Sequence, residues 1–149
     1  MISFKLNWQS VAAGLVFLAA LAYLPLTTTM GDETTAAVLV VAAAAIVFSL
    51  IELGTVASAW GLAILTHVAV FLLIGAIAGA EGTAGRSFFL LLAALWLLAW
   101  RLATILSGDG KSRLSRGLIG RIGVPALFGI WILILWEAIT RGAGVPFVL

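Results

Sequence analysis

Between Leu53 and Ala80 the chain carries no Asp, Glu, Lys or Arg, and between Val11 and Leu26 it again carries none. Stretches this long without a formal charge cannot form the outer surface of a water-soluble domain. They need hydrocarbon around them. The rest of the chain gives no relief: 64% of its 149 residues are hydrophobic and only 9% are charged.

An α-helix crosses the hydrocarbon core with about 20 mostly apolar residues. The length therefore allows four or five crossings and short loops, with no separate soluble domain. Strands of a membrane barrel alternate apolar and polar positions. Ala36–Ser49 is apolar on every side, which reads as helix. The expected fold is an all-α polytopic membrane protein, a bundle of about five transmembrane helices.

The predicted helices run from Trp8 to Leu26, Thr35 to Leu53, Val56 to Ala80, Ser87 to Leu106 and Ile122 to Ile139, the last broken early by Pro125. They divide the chain into a four-helix bundle over 1–106, a basic loop over 107–121, and a fifth helix with a short tail over 122–149. A cleaved leader would need a small-x-small site after the first run. Ala20–Leu21–Ala22 lies inside that run, so a retained first helix is expected.

Ser107–Arg121 holds Lys111, Arg113, Arg116 and Arg121 against one acid, Asp109. Basic residues beside helix ends stay in the cytoplasm. Alternation then places Lys5 and the Gly54 turn inside, with the acidic Thr27–Thr35 loop, the Ala80–Arg86 turn and the C-terminus outside. The formal charge of +2 reflects this one loop and does not point to nucleic acid. Leu114–Ile122 is weakly amphipathic and suits either the anionic cytoplasmic face or a solvated loop. The expected partners are the lipid bilayer and other membrane subunits.

Charges inside a membrane are costly and are usually paired or functional. Glu52 and Arg101 fall at cytoplasmic helix ends, either paired across two helices or reaching the headgroups separately. Glu137 and Arg141 stand four apart with the acid first, the favourable order for a helical pair. His67, the sole histidine, falls near the middle of the third helix. A hydrogen bond to a neighbouring helix is expected for it. Its Ala63-x-x-x-His67 spacing also suits a pigment seated over an axial histidine. Gly75 and Gly79 have the spacing that lets helices approach closely. Trp8, Trp60, Trp100 and Trp136 fall near helix ends, as interfacial anchors do.

With no Cys, there are neither disulfides nor thiolate metal sites. The chain also has no nucleophile with a matched base, no metal cluster, no phosphate loop and no carboxylate pair at close spacing within a predicted helix. An enzyme reading has no footing, and no cofactor is expected.

The basic segment leading into Pro125–Ile139, with Trp136 and Glu137, then Gly142, Gly144, Val145, Pro146 and Phe147, resembles the opening of permease subunits in bacterial ABC importers of the nitrate, sulfonate and taurine class. The resemblance covers about the last 30 residues, roughly a fifth of the chain. It implies a bacterial inner-membrane protein serving solute transport, as the N-terminal region of a permease or as an accessory membrane subunit. The coupling loop that docks the ATPase in that family is not in this sequence. The alternative is a structural or assembly subunit of a larger membrane complex, with a pigment-binding version through His67. A small channel ranks last, because Glu52, His67, Arg101 and Glu137 lie at different depths.

Overall fold

A computed structural model describes residues 3–4, 6–29, 31–52, 55–108 and 118–145. The basic residues Lys111, Arg113 and Arg116, the amphipathic reading of Leu114–Ile122 up to Gly117, the Gly54 turn and the Pro146–Phe147 tail lie outside the described residues. Among the described residues there are five helices: α1 (Trp8–Ala22), α2 (Asp32–Ser49), α3 (Thr55–Ile77), α4 (Arg86–Ser107) and α5 (Leu118–Ala143). Two short strands, β1 (Ser3–Phe4) and β2 (Ile51–Glu52), pair antiparallel, with Ser3 opposite Glu52.

Three helical stretches are long and apolar enough to cross a membrane: Val56–Ile77, Arg86–Ser107 and Arg121–Ala143. Trp8–Ala22 and Glu33–Ser49 are apolar but shorter. Of the five expected crossings, three are shown by length and composition among the described residues.

Helix α4 is the centre of the bundle and packs on α1, α3 and α5. Its buried side, including Leu91, Leu95, Leu98 and Leu102, meets small residues on its neighbours, such as Ala13 and Ala20 of α1 and Ala138 of α5. Other large side chains point outward: Leu18 is 61% exposed and Leu133 69%. The small buried residues let the helices approach closely, as helices in lipid do.

Polar contacts gather at the two ends. At one end Asn7 caps α1 by accepting from Ser10 N at 2.9 Å, and Gln9 donates to Thr104 Oγ1 at 3.2 Å. The Ser49 and Ser10 hydroxyls are hydrogen-bonded at 2.7 Å, tying the end of α2 to the start of α1. At the opposite end the loops before α2 and before α4 are stitched together. Thr28 N donates to Thr83 O at 3.2 Å and Gly85 N to Leu26 O at 2.9 Å. Ser87, fully buried, donates to Ala20 O at 2.7 Å and fixes α4 to α1. The end of α5 joins this layer, since Gly82 N donates to Arg141 O at 2.8 Å.

Four readings of the sequence need correction. Helix α2 ends at Ser49 rather than Leu53, because the Ser49 hydroxyl turns back to Ile46 O at 2.6 Å and Ile51–Glu52 pair with β1. Glu52 therefore sits on a strand, not at a helix end. Helix α5 runs through Pro125 without a break. Proline removes one N–H near the start of that helix, a loss that membrane helices absorb. Gly75 and Gly79 make no close helix contact: neither would bring a Cβ within 4 Å of another atom, and Gly79 lies beyond α3 with φ +81°. Close approach on α3 occurs instead at Gly61, where a Cβ would collide with the Phe48 ring.

Candidate functional site

His67 lies near the middle of α3, half-buried, and its Nδ1 is 2.7 Å from Ala63 O on its own helix. The expected partner on a neighbouring helix is not what the structure shows. The ring's neighbours offer no acceptor: Trp131 meets it edge-on at 5.7 Å and Phe71 lies tilted at 6.5 Å. The nearest carbonyl is one turn back. A carbonyl oxygen only accepts, so Nδ1 carries the proton and Nε2 is left with its lone pair.

Trp131 is 1% exposed and stands at the centre of an aromatic group from three helices. Trp96 of α4 approaches it at 6.0 Å, and Phe128 packs on Trp96 at 6.0 Å. The sequence reading of tryptophan as an interfacial residue missed this group. The available signal was position: His67, Trp96 and Trp131 are each near the middle of their predicted helices. Trp8 and Trp100 do lie together near one end, 5.3 Å apart, and both are exposed.

Beside this group a half-open groove of about 400 Å³ runs between α3 and α5 over α4. Ala59 and Ala63 of α3 face Gly123 and Ala126 of α5 across it, Leu102 lies on α4, and His67 is the one titratable lining residue among those described. The small side chains on the two outer helices create the space. A second groove of about 360 Å³ between α1 and α2 has Ser10 as its only polar lining residue among those described, and that hydroxyl is already hydrogen-bonded to Ser49. The His67 groove is therefore the candidate site.

The remaining predicted residues do not converge on it. The Glu52 side chain lies outside the described residues, so the Glu52–Arg101 pairing is not described. Arg101 is half-buried near the end of α4. Glu137 and Arg141 form the expected pair at the other end of the bundle, and Arg141 also reaches Glu81 at 3.5 Å. Glu81 was the missed partner; it stood in the sequence as the lone acid of the Ala80–Arg86 turn. Among the described residues no three His, Asp or Glu gather as a metal site.

The Glu81 carboxylate accepts from backbone N–H groups, its own first and Gly79's next, and these hold its pKa below the usual carboxylate range, with Arg141 adding to the effect. A depressed folded pKa gives stability that is present above the unfolded value and lost as the pH falls through the folded one. Thermal unfolding in detergent should thus be unaffected by Glu81 above about pH 5 and weaken below it. Glu81→Gln should flatten that acid limb slightly, and an unchanged limb would remove Glu81 from the account.

Comparison with protein-family models, with curated proteins and with solved structures finds no match to this chain.

Proposed function

We propose that the chain is a non-enzymatic, five-helix protein of the bacterial inner membrane that serves solute transport by packing against further permease helices. The observation that carries this reading is the exposure of α5. This helix buries Leu127, Trp131, Ile134 and Ala138 toward the bundle, while Ile130, Ile132, Leu133 and Trp136 remain uncovered. It is also the helix whose Trp136–Glu137 end resembles the first permease helix of an ABC importer. A first helix of that kind needs one side free for the helices that complete the translocation path. Helices α1 and α2 are read as the two further crossings, each extended by its apolar flanks. The basic loop over 107–121 orients the whole, with the N-terminus cytoplasmic and the C-terminus external.

The assembly-subunit reading keeps support from the same exposed face, since it too needs a membrane partner. The two differ in who that partner is. The chain has no cysteine, so single cysteines report cleanly. Leu133→Cys should cross-link in native membranes to a permease subunit that co-purifies with an ABC ATPase. A cross-link to another complex favours the assembly reading, and none at all sinks both. In the same set, Thr29→Cys should react with an impermeant maleimide from outside the cell, and Ser107→Cys should react only after the membrane is opened. Reversal of that pattern would invert the orientation.

A further inference from the structure

We infer that the groove between α3 and α5 is a binding site for a membrane-dissolved phenol or quinol, whose hydroxyl donates to His67 Nε2. The inference rests on the membrane reading above and goes beyond it by assigning a ligand class.

The nitrogen sets the chemistry. Ala63 O occupies Nδ1–H, so His67 offers the groove an acceptor and not a donor. His67 is twelve residues from the start of α3 and ten from its end, which is about 18 Å and about 15 Å along the axis. That is mid-depth, where water does not supply a donor and an unpaired polar atom is costly. A phospholipid keeps its polar group at the interface, and its chains have no O–H to offer. The ligand that satisfies Nε2 must carry its donor into the hydrocarbon on an apolar body.

The walls set the shape. Ala59, Ala63, Gly123 and Ala126 make a slot rather than a bowl, suited to a flat ring. A volume of about 400 Å³ is in the range of small-molecule sites. Trp131 and Phe71 hold the imidazole from the sides, so its orientation is fixed before a ligand arrives. The groove between α1 and α2 has similar volume, and its one described polar lining group, the Ser10 hydroxyl, is already engaged by Ser49, so it serves as an internal reference for simple partition of apolar molecules.

The test uses thymol and its methyl ether, which share size and apolarity but differ in the O–H. Because His67 is the only histidine, ring-¹⁵N-histidine labelling of the detergent-solubilised protein reads this residue alone. The free protein should show a protonated Nδ1 and a bare Nε2. Thymol should shift the Nε2 resonance and bind about fivefold tighter than the ether, the gain of one hydrogen bond. His67→Leu should erase the preference. Ala126→Phe, at an exposed position that keeps His67, should weaken both probes. Equal affinities, a preference that survives His67→Leu, or a proton on Nε2 would each overturn the site. A response to zinc protoporphyrin but not to thymol would overturn it as well and make His67 a metal ligand. A protein that still requires detergent but shows no thymol preference loses this site alone, and the membrane reading stands.

Discussion

Replacing Trp131 with alanine should destabilise the bundle by about 3 kcal/mol, from a cavity term of ~24 cal/mol per Å³ over a void on the order of 100–150 Å³. The transfer part of the usual large-to-small cost is small here, because the removed ring passes between protein interior and hydrocarbon. The cavity part remains, since Trp131 is 1% exposed and is braced by His67 and Trp96. Trp131→Phe should cost about 1 kcal/mol or less, as it keeps most of the volume. The indole N–H it gives up has no hydrogen-bond partner among the described residues. Unfolding by denaturing detergent would measure both variants. Equal stability of Trp131→Ala and the parent would show that the three-helix aromatic group is not close-packed.

Gly85→Val should be the second large effect, about 2–3 kcal/mol by forced displacement of packed atoms. Even a single Cβ at Gly85 would stand 2.9 Å from Pro25 O and 3.4 Å from Leu26 O. Those are backbone atoms and cannot rotate aside. The Gly85 N–H to Leu26 O bond and the Thr27–Ala84 bridge hold the two loops at that spacing, so both would part. The matched control is Gly31→Ala, where a Cβ meets nothing within 4 Å and φ is −68°. That change should fall within about 1 kcal/mol of the parent. If Gly85→Val proved as mild as Gly31→Ala, the stitched layer would not be a constraint on the fold.

The helices were legible because membrane spans are read from continuous apolarity, which needs no knowledge of tertiary partners. Helix α3 was expected to begin at Val56 and begins at Thr55; α4 was expected over Ser87–Leu106 and covers Arg86–Ser107. The ends that were misplaced depend on contacts distant in sequence. The β1–β2 pairing stops α2 through a segment nearly fifty residues away. The arrangement of helices was not legible at all, since an apolar helix has no stripe to show which side faces protein. The Glu137–Arg141 pair was legible because it is local; Glu81 joins it only when the α3–α4 loop meets the end of α5. For His67 the residue and depth were legible, but the groove beside it is a product of packing.

The position of α4 has a consequence for biosynthesis. Helix α1 is seated mainly on α4, with Ser87 to Ala20 and Gln9 to Thr104 as its fastenings, and it has only slight contact with α2. While the first three helices leave the ribosome, the surface that will receive α1 has not yet been made. The early intermediate must keep α1 apart from its final neighbour until residue 107 has emerged, and insertion machinery that shelters a single helix would govern the yield of correctly assembled protein.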